Sequence, residues 1–211
     1  DFIVFWQSHA GDVLARRVGV DGYVLDTAPI FLGRVTRATR IDGTWSGVAY
    51  LGTWPSENLI LAAAVSAAGS VITAPNAINP VPAGSADRTA VACDASACTA
   101  AWHAGSSNTI RGGIFSIALT TSGTPAGAQT TIVDEPSTLT PAVARGWILF
   151  SHQSRLYAAR TLVSLLLDTE RVFYQATGGG PRIVATQRDG VYWTDLVGGA
   201  STLMFARVAA D

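Results

Sequence analysis

Short apolar runs, each closed by Gly, Ser, Asp or Pro, recur along the whole chain. One set reads IVFW (Ile3–Trp6), VAYL (Val48–Leu51), TAAW (Thr99–Trp102), ILFS (Ile148–Ser151) and VYW (Val191–Trp193). A second set follows each of these after a polar or Gly-containing loop: Val13–Val18, Ile60–Val65, Ile110–Phe115, Leu156–Thr161 and Leu203–Val208. Apolar runs of this length between turn residues predict β-strands. The stretch Ala159–Phe173 has leucines at helical spacing, but in register with the other copies it falls on a strand and its turn.

The copies recur every ~42 to 51 residues, the period of four-stranded propeller blades. Shorter runs supply the remaining strands. Before each first-set run but the first comes a strand with a tight turn, in RATRIDGT, DRTAVACDAS, LTPAVARG and PRIVATQRDG. The Asp42-Gly43 and Asp189-Gly190 pairs there are hairpin-turn signals. Turns in VDGYVL, AAGSVI, TSGTPA and LDTERV lead to a fourth strand, whose prolines suit a sheet edge. The pattern predicts an all-β propeller of four-stranded antiparallel blades over 1–33, 34–81, 82–134, 135–177 and 178–211. Three blades are complete. The first starts at its second strand and the last stops at its third. This describes a five-bladed ring lacking one hairpin, or a fragment of a larger propeller cut at hairpin turns, where proteolytic nicking concentrates.

Composition narrows the function. Of 211 residues, 48% are hydrophobic and 14% charged, with a formal net charge of -1. Nothing in that balance favours a nucleic acid or an anionic membrane surface. No apolar run approaches the ~18 residues of a membrane helix, so membrane insertion is not expected. Cys93 and Cys98 flank a four-residue loop between two strand-like runs, which places them opposite each other in a hairpin. A disulfide there implies an oxidising compartment; the alternative is a pair of reduced, half-buried thiols.

These features resemble a group of secreted bacterial repeat proteins, whose blades carry a V-V-W strand, a loop, a D-I-x-G-x-R-V strand and a Gly turn. The matching stretch is FIVFWQSHAGDVLARRVGVDGYVL (Phe2–Leu25), with weaker later copies, and the hairpin ACDASACTAAW is similar to one in that group. Leu51 and Ser151 stand where the pattern has Trp, and Ala64 and Ile114 or Phe115 where it has Arg. The resemblance implies a propeller fold and secretion or display at a bacterial cell surface. It carries no catalytic motif.

Few residues offer chemistry. Trp6, Trp102 and Trp193 recur in the second strand, and Arg17, Arg160 and Arg207 in the third. Repeat-equivalent residues of these types are expected to pack and brace adjacent blades. Trp45, Trp54 and Trp147 lie nearer turns, and Trp54, in GTWPSEN, is the expected exposed aromatic. His9, His103 and His152 are expected just past the second strand, in loops of the first, third and fourth blades, too far apart to share a metal. Trp54, His103 and His152 are therefore the candidate ligand contacts. The acids of the inner strands, Asp42, Asp87 and Asp189, fall at strand ends or turns, so no pair of channel-facing carboxylates is expected for glycoside hydrolysis. No catalytic residue, metal site or cofactor is predicted. The reading is a non-catalytic extracellular propeller for binding, adhesion or assembly, its terminal blades completed by a protein partner or the remainder of the same polypeptide. A carbohydrate-binding propeller with a glycan partner is the first alternative. Part of a polysaccharide-active enzyme, with catalytic residues outside this chain, is the second.

Overall fold

A computed structural model describes the chain except for residues 38–39, 80–85, 95, 106–111, 135–140, 145–146, 153–154, 161–167, 176–181, 188–189, 198–199 and 208–211. Asp87 and Ala144 are described by backbone only, and from Ser151 onward side chains are described only at Tyr157 and Ala159. Among the described residues every regular element is a strand.

The first sheet has three antiparallel strands, β1 (Phe2–Gln7), β2 (Asp12–Val18) and β3 (Ile30–Arg34). Three four-stranded sheets follow. The second holds β4 (Asp42–Trp45), β5 (Ala49–Ser56), β6 (Leu59–Ser66) and β7 (Val71–Ala77). The third holds β8 (Ala86–Cys93), β9 (Cys98–Ala104), β10 (Gly113–Leu119) and β11 (Thr130–Val133). The fourth holds β12 (Pro141–Ala144), β13 (Trp147–His152), β14 (Arg155–Arg160) and β15 (Asp168–Gln175). The last has three, β16 (Arg182–Gln187), β17 (Gly190–Val197) and β18 (Ala200–Arg207). Each sheet is a simple meander, and successive sheets meet through their innermost strands, β4 with β8, β8 with β12 and β12 with β16. This is the β-propeller arrangement.

One turn is reused. At Ser8–Asp12, Gly19–Tyr23, Ser66–Ser70 and Thr120–Thr124 the first N–H donates to the fifth carbonyl and the fourth N–H to the first carbonyl. The fourth residue is always Gly: Gly11, Gly22, Gly69 and Gly123, with φ between 83° and 88°. Only Gly takes that left-handed geometry without strain. LDTERV has no Gly, and it is not a turn as expected: Asp168 already opens β15. The Asp42-Gly43 expectation is also corrected. Both residues lie in β4, and the hairpin turns at Ser46–Val48, where Gly47 has φ 92° and Ser46 Oγ accepts the Ala49 N–H. Gly43 serves a close approach instead, since an added Cβ would sit 2.6 Å from the Phe5 ring of the first sheet. Register shifts recur between third and fourth strands of the first four sheets, and such bulges twist an edge strand away from further pairing.

Both faces of the inner sheets are buried, so alternate residues serve opposite neighbours. In β5, Tyr50 and Trp54 join Val13, Ala15, Leu32 and Val35 in the seam with the first sheet. Ala49 and Leu51 face the other way, into a seam with Trp102, Ala100 and Phe115 of the third sheet. Ala101 and Ile114 turn from that seam towards Ile148 and Phe150 of the fourth sheet. Thus the second-strand aromatic that faces the preceding sheet is Trp54 in the second sheet and Phe150 in the fourth. Leu51 and Ser151, assigned to that place from sequence, are not the equivalent residues: β5 runs on past Trp54 to Ser56, and Leu51 points to the following sheet.

Candidate functional site

Trp54 is fully buried, against the expectation of an exposed ligand contact. The strand continues through Pro55 and Ser56, and the turn comes at Glu57, whose φ is 56°. Trp54 is therefore an interior position. Its indole Nε1 has no hydrogen-bond partner among the described residues, and neither has that of Trp102, also 0% exposed. These two side chains fill volume; the unmade bonds are a cost offset by the area they bury.

His103 likewise leaves the candidate loop. It lies inside β9, is buried, and pairs across the sheet with Arg88 and Ile114. Alternation puts it on the face opposite Trp102, because β9 runs to Ala104. His9 is exposed in the β1–β2 turn. His152 is the last residue of β13, and its side chain lies outside the described residues. The backbones of Arg160, Trp193 and Arg207 fall in β14, β17 and β18, their side chains again outside the described residues. Among the described residues no group of three His, Cys, Asp or Glu could hold a metal ion.

Arg17 spans the seam between the first two sheets. Its Nε and Nη2 donate to Asp26 Oδ1 at 3.0 and 2.6 Å, and its Nη1 donates to the Ala67 carbonyl in the β6–β7 turn. Asp26 Oδ2 accepts the Arg17 backbone N–H at 2.7 Å. The Arg17 side-chain bond holds the Asp26 carboxyl below its ordinary value despite burial, and the same bond raises Arg17.

A second carboxylate sits at the inner strands. Asp42 Oδ2 accepts the Val91 N–H of β8 at 2.8 Å. Desolvation raises its pKa, and the N–H donors of Val91 and Gly43 and the charge of Arg40 oppose the rise without cancelling it. Thr89 Oγ1 donates to the Thr53 carbonyl beside it at 3.1 Å. Asp87 is described by backbone only, and Asp189 lies outside the described residues. Asp42 is therefore the one inner-strand acid of the three whose side chain is described, and its bonds tie two sheets together.

The disulfide is formed. Cys93 and Cys98 are direct cross-strand partners, with an S–S distance of 2.00 Å. Asp94 caps the turn, its Oδ1 accepting the Ser96 and Ala97 N–H groups at 2.8 and 2.9 Å, and the Ser96 bond leads the lowering of its pKa.

Trp45 is an exposed aromatic in ring contact with a buried seam residue, where the sequence pointed to Trp54. It is the last residue of β4, 44% exposed, with its ring centroid 4.7 Å from that of Tyr50, its cross-strand partner. Tyr50 is buried in the seam with the first sheet and lies within electrostatic reach of Arg17. The Ser46-Gly47 pair directly after Trp45 was the available signal for a turn-tip aromatic. The Trp45 indole is thus an exposed apolar ring set at 57° to a buried phenol, and such an exposed ring can stack on an apolar face of a ligand.

Comparison with solved structures supports the fold. A fucose-specific lectin from Aleuria aurantia superposes with a TM-score of 0.52 at 11% identity, over 99% of this chain and 74% of that one. A mutant of the Aleuria aurantia lectin in complex with Fucα1-6GlcNAc superposes with a TM-score of 0.50, also at 11% identity and with the same coverages. No family model matches the chain, and no curated protein matches it.

Proposed function

We propose that this is a non-catalytic, extracellular propeller that serves as a binding, adhesion or assembly module, with carbohydrate as its ligand class. The observation that carries the reading is Trp45, half-exposed and in ring contact with Tyr50, which is itself buried in the seam with the first sheet. The structural neighbours are lectins, which supports a glycan over other polar ligands. The other strong side chains of the described seams are engaged in packing or in bridges between sheets, which supports a structural platform over a catalyst. Secretion is supported by the Cys93–Cys98 bond, since disulfides persist in oxidising compartments.

The test is a glycan array followed by calorimetry, with Fucα1-6GlcNAc as the first titrant and Trp45→Ala as the control. Specific binding that is lost in Trp45→Ala, with an unchanged melting temperature, is the expected result. Binding that survives Trp45→Ala moves the site elsewhere. No binding across the array sinks the carbohydrate reading.

A further inference from the structure

Each described seam follows one rule. The second-strand aromatic of a sheet lies on third-strand aliphatics of the preceding sheet: Trp54 with Val13 and Ala15, Trp102 with Ile60, Ala62 and Ala64, Phe150 with Ile114. The first sheet presents the same kind of face. Phe2, Val4 and Trp6 alternate on one side of β1, opposite Ile3 and Phe5, which pack towards the second sheet. Leu14 pairs with both Trp6 and Phe31, which extends that side across β2 and β3. Its covering is incomplete: Phe2 is 51% exposed, Val4 44% and Phe31 58%, and Trp6 and Leu14 are half-buried, where Trp54 and Trp102 are 0% exposed. Among the described residues, no contact comparable to those between successive sheets joins β1–β3 to β16–β18, so the described parts of the first and last sheets do not close a seam on each other.

We propose that this open face receives one further blade of the same repeat, carried by the same polypeptide, and that the third strand of that blade presents small aliphatic residues at alternate positions to Trp6. The superposition on a propeller chain leaves about a quarter of that chain unmatched, room for another sheet of this size. A folded second copy fits less well, because it would bring five sheets to a gap between two. A separate one-blade partner is disfavoured, since a single repeat cannot bury its faces alone and gains stability only by stacking on neighbours. The inference deepens the assembly half of the proposed function and leaves glycan binding independent, because Trp45 lies in the second sheet, against Tyr50 and away from the open face of β1.

The experiment is oxidative footprinting at Phe2, Trp6 and Phe31, read by mass spectrometry with intact mass, on the 211-residue chain and on the polypeptide isolated from its source. The expected result is a source polypeptide longer by at least one blade, with several-fold slower oxidation at these three residues than in the 211-residue chain. Val4→Asp is then expected to lower the melting temperature of the longer polypeptide and hardly that of the 211-residue chain. A longer polypeptide with undiminished oxidation overturns the proposal. So does protection of the 211-residue chain that rises with its concentration, which assigns the face to a second copy, or protection that appears only with a separate co-purifying protein. Loss of glycan binding with the footprint retained would instead count against the carbohydrate reading alone.

Discussion

The seam between the first and second sheets and the seam between the second and third are built on one plan and bridged by opposite chemistry. Both bury a tryptophan from the second strand against third-strand aliphatics of the preceding sheet. Both also carry an aspartate. In the first seam Asp26 has a guanidinium partner in its own sheet, and Arg17 passes the bridge on to the Ala67 carbonyl of the next. In the second, Asp42 reaches the neighbouring sheet directly but meets only an amide, the Val91 N–H. A carboxylate beside a full positive charge is favoured in its ionised form; one held by neutral donors in a desolvated place is not. The pKa directions follow that difference. Apolar packing thus sets the plan of a seam, and the polar bridge sets how the seam responds to its surroundings.

The largest expected effect tests the shared part of that plan. Trp102→Ala leaves a large cavity in a fully buried place and should cost about 3–5 kcal/mol, with Trp54→Ala in the same range, both measured by urea unfolding. Trp6→Ala, on the open face, should cost less than half as much in the 211-residue chain. Equal losses at all three positions would break the distinction between closed seams and the open face.

Next comes the bridge itself. Arg17→Met keeps the aliphatic stem and strands the Asp26 carboxylate, which should cost about 1–3 kcal/mol. The double variant with Asp26→Asn should recover part of that loss, because no charge is then left without its partner. If the single and double variants are equally destabilised, the Ala67 carbonyl bond matters more than the ion pair. Reduction of the disulfide, or Cys93→Ser with Cys98→Ser, should cost about 2 kcal/mol for so short a loop. The loss should be local, seen as faster amide exchange in β8 and β9 with the first seam unaffected.

Much of this was legible in the chain, and the failures have one physical origin. Gly22, Gly69 and Gly123 mark turns that no other residue makes easily, so the repeat and its strand order followed from the sequence. The Cys93–Cys98 pair was legible because a four-residue loop fixes the cross-strand partner. Trp54 and His103 were misread because strand length decides which side of a blade a residue faces, and β5 and β9 run further than the shortest copy suggests. One residue of slip exchanges the two faces of a strand. Asp42-Gly43 misled for a related reason. It carries a turn signal, but the Phe5 ring of another sheet claims Gly43, and the turn moves to Ser46-Gly47. Contacts between sheets leave little local trace, so Trp45 was undervalued for the same reason that Trp54 was overvalued.

The smallest effect separates the two bridges most cleanly, because it has opposite signs. Asp26 titrates lower in the folded chain than in the unfolded one, so the unfolded state binds more protons as the pH falls. Its stabilisation is complete above the ordinary carboxylate value of 3.8 and is lost as the pH drops through the lower folded value. Asp42 titrates higher when folded, so the folded state holds its proton longer. Its ionisation therefore weakens the fold as the pH rises from 3.8 through the folded value, and a return to acid restores what was lost. Asp26→Asn should flatten the decline of stability on the acid side of that window. Asp42→Asn keeps an oxygen for the Val91 N–H, and it should remove the decline on the alkaline side and so raise neutral-pH stability by the size of that decline. The measurement is urea unfolding of both variants and the parent chain at closely spaced pH values. If Asp42→Asn leaves the alkaline side of the profile as it is in the parent chain, the charge of Arg40 and the amide donors offset the desolvation of the inner carboxylate in full, and the contrast between the seams reduces to packing alone.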